Sequence, residues 1–173
     1  MQPQQLYNDT VLNVAQLLKA RVGAERRIDV HLDALELDVD LPTQRVEAHL
    51  RLTRITSGIL VTGDVQVTGH QVCARCLTEF DGTYTETVSA EFWPSIDVET
   101  GAPLPLPEDD ETFIIDENHQ LDLNELLRQV AILAQPLRPV CGPDCPGFES
   151  LLPPEAMPVD DRLAVLASLL LEN

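Results

Sequence analysis

Val46, Ala48, Leu50 and Leu52 alternate with Glu47, His49, Arg51 and Thr53. The same period of two returns at Ile59, Val61, Val65 and Val67, and again at Tyr84, Val88, Ala90 and Phe92. An extended backbone sends successive side chains to opposite faces, so such stretches make half-buried strands and not helices. Upstream, Ile28, Val30 and Leu32 share one parity while Leu35, Leu37, Val39 and Leu41 share the other. A strand cannot bury both sets on one face without an extra residue, which predicts a bulge or turn at Asp33-Ala34. Pro42-Thr43 and Ser57-Gly58 punctuate the runs. About five short strands follow one another, with Phe113-Ile114-Ile115 as a possible sixth, and an antiparallel meander is the expected arrangement.

The period changes to that of a helix in three places. Thr10 can cap a helix carrying Val11, Val14, Ala15 and Leu18, with Gly23 near its end. Asp122 and Glu125 have capping-box spacing ahead of an apolar stripe of Leu123, Leu126, Leu127, Val130, Leu133 and Ala134, which Pro136 stops. Leu163, Leu166, Ala167 and Leu170 suggest a last helix from near Asp160. The expectation is one α+β domain over residues 1–173, the helices packed on the sheet and a cysteine-stapled turn region beside it. Within it, residues 94–112 read as a flexible acidic Pro-rich loop and 136–158 as a Pro/Gly-rich segment.

Charge narrows the function. The net charge is −18, and the basic side chains are ten Arg and a single Lys. Residues 76–127 hold fourteen carboxylates and no Lys or Arg, whereas residues 1–75 hold eight basic and nine acidic groups. That balance excludes a protein that coats phosphates by general charge, which needs a cationic excess. It suits either a solvated surface or a face that docks a basic partner. Seven aromatic residues are few for a surface that stacks unpaired bases.

Cys73-Ala74-Arg75-Cys76 and Cys141-Gly142-Pro143-Asp144-Cys145 contain all four cysteines. Two close pairs, each able to present two thiolates from one turn, suit a tetrahedral Cys₄ zinc site. Such a site would be structural, because four thiolates leave no open position. A redox pair normally opens a helix, whereas Cys73 and Cys76 sit between strand signals. Inert or reversible thiols remain the alternative. His70, three residues before Cys73, is a possible substitute ligand or a plain surface histidine.

Phosphate loops, zinc-protease motifs and nucleophile elbows are missing from the sequence, and the four histidines are scattered, so no enzyme is expected. With no membrane span or leader pattern read from the residues, the expected location is cytoplasmic.

Four segments in order carry a family resemblance: Leu12–Lys19; Gly58–Gly63 followed by Cys73–Leu77; Leu121–Leu126 through Pro136–Cys141; and Val159–Ala164. The chain resembles the large ribosomal RNA subunit accumulation proteins of bacteria and plastids, the YceD family. Pro146-Gly147-Phe148-Glu149 departs from the Lys-Gly-Leu-Cys that many members carry there. The resemblance implies a non-enzymatic ribosome biogenesis factor that supports accumulation of 23S ribosomal RNA, with no small-molecule substrate. Two modes of action are open. One is binding of a basic large-subunit ribosomal protein through the acidic block, with Glu108, Asp109, Asp110 and Glu111 as candidates. The other is contact with precursor 23S rRNA through arginines of the front part, with Arg51, Arg54 and Arg75 as candidates beside Arg26, Arg27 and Arg45. The competing reading is a zinc-stapled interaction module, or a thiol-based sensor, unrelated to ribosomes.

Overall fold

The computed structural model of the chain describes residues 3–37, 44–107 and 112–147. Along the chain run β1 (Gln4–Tyr7), β2 (Val11–Asn13), α1 (Ala15–Lys19), β3 (Glu25–Leu35), β4 (Gln44–Arg54) and β5 (Ile59–Val72). They are followed by β6 (Glu79–Pro94), β7 (Phe113–Ile115), β8 (Gln120–Asp122) and α2 (Asn124–Leu133). Six strands form one sheet in the order β1-β3-β4-β5-β6-β7, and β2 pairs with β8 in a second.

The alternating stretches fold as their period requires. Ile28, Val30, Val46, Leu52, Ile59, Val61 and Val65 are fully buried, and the residues between them face outward. The register between β3 and β4 shifts between Leu32 and Leu35, so the parity switch at Asp33-Ala34 is a bulge that returns Leu35 to the core.

Two expectations about the sheet are corrected. It is mixed, not a pure meander: β3 to β6 run antiparallel, but β1 is parallel to β3 and β7 is parallel to β6. Both parallel pairs are joined by connections long enough to carry the chain back to its starting end, which a hairpin turn cannot do. The central strands are also long, 14 residues in β5 and 16 in β6.

The two edge strands lead directly into β2 and β8, whose pairing sets Leu12 against Leu121. Both leucines are buried, so this small latch joins the two ends of the large sheet and curls it around the core. Main-chain bonds extend the latch, from Val14 N–H to the His119 carbonyl (2.9 Å) and from Leu123 N–H to the Thr10 carbonyl (2.9 Å). Helix α2 lies against β4, β5 and β6 and buries Leu126, Leu127, Val130 and Ala131.

The helical readings need amendment too. Val11–Asn13 is a strand, and α1 is only five residues long. Pairing with β8 supplies Val11–Asn13 with the hydrogen bonds a helix would otherwise have provided, and tertiary pairing overrides the weak local period. The Asn13 side chain, not Thr10, accepts the Ala15 N–H (3.1 Å). At α2, Asp122 accepts the Asn124 N–H (2.8 Å) and the Thr10 hydroxyl (2.7 Å). Glu125 does not close a capping box; it accepts from Arg128 and Gln129 along the helix. Leu133 lies off the buried stripe and is exposed. The turn after β6 is hydrogen-bonded in its described part, with Asp97 accepting from Glu99 and Thr100 and Leu104 N–H reaching the Ser95 carbonyl. Val39, Leu41, Pro42-Thr43 and the helix expected near Asp160 lie outside the described residues.

Candidate metal centre and charged faces

Strands β5 and β6 are one long antiparallel ribbon that ends in a tight turn, and this turn is the first cysteine pair. Cys73 N–H donates to the Thr78 carbonyl (2.9 Å) and Leu77 N–H to the Cys73 carbonyl (2.9 Å). Leu77 takes a left-handed φ of 58°, which closes the loop and brings the Cys73 and Cys76 sulfurs to one side. The second pair arrives from α2. Ala74 N–H donates to the Pro139 carbonyl (2.7 Å), pinning that segment against the turn, and Cys145 N–H returns to the Gly142 carbonyl (3.3 Å).

The two turns interleave. Cys73 Sγ lies 3.7 Å from Cys145 Sγ, and Cys76 Sγ lies 3.7 Å from Cys141 Sγ. All four sulfurs fall within 4.8 Å of one another. Four thiolates bound at about 2.3 Å around one tetrahedral ion stand about 3.8 Å apart, so the donor set and its spacing fit a metal ion. The surroundings fit as well. Arg75 N–H (3.4 Å) and Cys141 N–H (3.5 Å) donate to Cys73 Sγ, and Thr78 Oγ1 lies 3.4 Å from Cys76 Sγ, placed to donate to a thiolate. Cys73 and Cys76 are buried, Cys145 is half-buried and Cys141 is exposed.

The electrostatics point the same way. Burial raises the Cys73 thiol, but the N–H groups of Cys141, Cys76 and Arg75 outweigh it and bring it down to about 6. Thr78 holds Cys76 below its usual value. Cys141 is pushed up to about 12, first by its hydrogen bond to Cys145 and then by burial. Four thiols this close cannot all ionise by themselves, because each thiolate raises the cost of the next. A divalent cation at their centre removes that conflict. The four cysteines can therefore hold a metal ion. His70 takes no part, standing instead between Asp81 (3.2 Å) and Glu79 (3.4 Å) on the ribbon's surface.

The candidate arginines are dispersed. Arg75 is exposed on the cysteine turn. Arg54 is half-buried and donates to the carbonyls of Leu18 (3.1 Å), Gly58 (2.9 Å) and Ile55, so its guanidinium ties α1 to the β4–β5 turn. Arg26 likewise reaches the Asn13 carbonyl and the Gln4 side chain. Arg51 lies on the outer face of the sheet, 3.8 Å from Glu25 and directly opposite Arg27 in the register. Arg45 shares that face. Glu108, Asp109, Asp110 and Glu111 lie outside the described residues.

Part of the acidic block read from the sequence is carried on β6, a placement that sequence reasoning missed. Glu79, Asp81 and Glu91 are exposed on the outer face of β6, and Glu86 is exposed on its other face. The outer face thus mixes Arg27, Arg45 and Arg51 with Glu25, Asp29 and Glu47 on β3 and β4, and carries carboxylates without arginines on β6. The alternation of Thr83, Thr85, Thr87 and Ser89 located that face; nothing local revealed where the strand would sit in the sheet. Among the described residues, no helix is long and apolar enough to cross a membrane.

Residues 61–170 match the model of a protein family described as large ribosomal RNA subunit accumulation protein YceD. Among curated proteins, the chain is 35% identical over 130 residues to uncharacterized proteins of Mycobacterium bovis and of two strains of Mycobacterium tuberculosis. The match covers 75% of this chain and 55% of each relative, so the chain spans about half the length of the curated relatives it matches. No solved structure matches the chain.

Proposed function

The chain belongs to the YceD family of large ribosomal RNA subunit accumulation proteins, and from that premise we propose that it is a non-enzymatic ribosome biogenesis factor acting in the cytoplasm. In this reading it supports accumulation of 23S ribosomal RNA by holding a basic large-subunit ribosomal protein until that protein joins the precursor. The observation that carries the mechanism is the charge of residues 76–127, with fourteen carboxylates and no Lys or Arg. Four of them, Glu79, Asp81, Glu86 and Glu91, stand on β6, where their field speeds encounter with a cation and repels RNA.

The cysteine centre holds Zn²⁺ in this proposal, with Cys73, Cys76, Cys141 and Cys145 as its ligands. Its role is to fasten the tip of the β5–β6 ribbon to the segment that follows α2. Four thiolates fill the shell, so the ion performs no chemistry and contributes to folding.

A direct contact with precursor 23S rRNA is the second reading. Arg27, Arg45 and Arg51 support it, because they are exposed on one face of β3 and β4, where guanidinium groups can fork onto phosphates.

The test is the ratio of large- to small-subunit rRNA in cells depleted of the protein, with subunits resolved on a gradient. A selective loss of the large subunit, restored by re-expression, is expected. An unchanged ratio under complete depletion rejects the biogenesis reading and leaves an interaction module or a thiol sensor.

A further inference from the structure

Strand β6 pairs with β5 along its whole length, from Ile59–Phe92 to Val72–Glu79. On its other side β7 covers only Phe92, Trp93 and Pro94. Among the described residues, no strand and no main-chain hydrogen bond from another segment reaches that side over Glu79–Glu91. In an antiparallel strand every second residue aims its N–H and C=O away from the neighbour, so about six residues present donors and acceptors along this edge.

Edges of this length are normally blunted by lysines, prolines, bulges or brevity. Here Glu79–Glu91 contains no Lys, Arg or Pro, and its register with β5 runs without a shift. Thr83, Tyr84, Thr85, Thr87 and Val88 favour the extended state. The only guards are carboxylates: Glu79, Asp81 and Glu91 on one face and Glu86 on the other, all exposed. They select the partner. A second copy of this edge would set carboxylate against carboxylate, and a nucleic acid would bring phosphates to the same charge. A strand rich in Lys and Arg would meet opposite charge on both faces while completing the main-chain ladder.

We propose that the free edge of β6, Glu79–Glu91, receives an extended Lys/Arg-rich polypeptide segment as an added strand. This deepens the escort reading and rests on it for the identity of the natural client, but the edge can be tested without that client.

The experiment uses the full purified chain and a synthetic twelve-residue peptide in which lysine alternates with valine and threonine. Two comparison peptides are the same sequence N-methylated at alternate residues, which keeps charge and removes donors, and a version with glutamate for lysine. The expected result is slowing of hydrogen exchange at alternate amides within 79–91 by about ten-fold or more. Affinity should fall by about ten-fold or more on N-methylation, and the glutamate peptide should not bind. Glu91→Lys, at an exposed position on the face that the alternating lysines meet, should weaken the lysine peptide several-fold with an unchanged circular dichroism spectrum. The proposal is overturned by equal binding of the N-methylated peptide, by protection mapping elsewhere, or by no binding at all. It is also overturned if those alternate amides are already protected in the free full chain, which would mean that the chain covers its own edge. The readout is made on the purified chain, so its failure leaves the rRNA test standing, and an unchanged rRNA ratio leaves this readout standing.

Discussion

The sulfurs of Cys73 and Cys145 lie 3.7 Å apart although 72 positions separate them in the chain. That contact joins a turn fixed by sheet hydrogen bonds to a segment with no regular structure of its own. Besides the Ala74–Pro139 main-chain bond, the segment's placement rests on what the four thiols share.

Purified under reducing conditions, the chain should carry about one zinc per molecule by elemental analysis. Cys76→Ser should lower metal affinity by more than about 100-fold, and chelation should lower the melting temperature of the parent but not of the variant. A parent without metal, and with a melting temperature indifferent to chelator, would remove the zinc assignment.

Thr78 tests the surroundings of the centre separately from its ligands. Thr78→Val removes the hydroxyl 3.4 Å from Cys76 Sγ. Metal content should stay at one ion while affinity drops by about ten-fold, measured by competition with a chromophoric chelator. No change in affinity would mean that the hydroxyl does not support the thiolate.

Gly58 has no room for a side chain. A Cβ there would run into the Phe92 carbonyl oxygen and press on the Pro94 ring at 3.1 Å, both on the neighbouring strand. Since the obstacle is mainly backbone, Gly58→Ala should cost about 1–3 kcal/mol in denaturant unfolding. A variant as stable as the parent would show that the β4–β5 turn and β6 can move apart.

His70 should titrate above its ordinary value, because the carboxylates of Asp81 and then Glu79 hydrogen-bond its ring. The sign follows: the raised folded pKa stabilises the chain fully below about 6.5, and that contribution is lost as pH rises through the folded value. Asp81→Asn should move the imidazole titration, followed by NMR, back down. A titration unchanged by the substitution would remove Asp81 as the cause.

Glu125 gives the opposite sign. Arg128 first, then Gln129, bring its carboxyl down to about 2 from an ordinary value of 4.5. The resulting stability is present above 4.5 and lost as pH falls through about 2. The side chain is 49% exposed, so solvent screening keeps Glu125→Gln to less than about 1 kcal/mol at neutral pH. A larger loss would indicate that Arg128, which also donates to the Leu37 carbonyl (3.0 Å), loses its position as well.

Much of the sheet was legible because alternation is a local property. Each of Val46, Leu50 and Leu52 announces its face by its neighbours, and even the bulge between Leu32 and Leu35 is written in a parity switch. The four cysteines were legible as a set by type and spacing. Val11 shows the limit: its spacing with Val14, Ala15 and Leu18 suits a helix, and only a partner 111 positions later, Asp122, makes it a strand. Arg54 shows another, since its charge suggests a surface role while three carbonyls it could not know in sequence engage its guanidinium.

Local pattern and composition established which face of β3 to β6 is buried, the acidity of residues 76–127 and the pairing of thiols within each turn. These follow from backbone geometry and composition, which act over a few residues. The tertiary structure alone decided that β1 and β7 join in parallel and that β2 and β8 curl the sheet. It also decided that the two cysteine turns meet, and that one side of β6 has no strand beside Glu79–Glu91 in the described chain. Those outcomes depend on which distant segments satisfy one another's hydrogen bonds and apolar surface, and no local pattern records that choice.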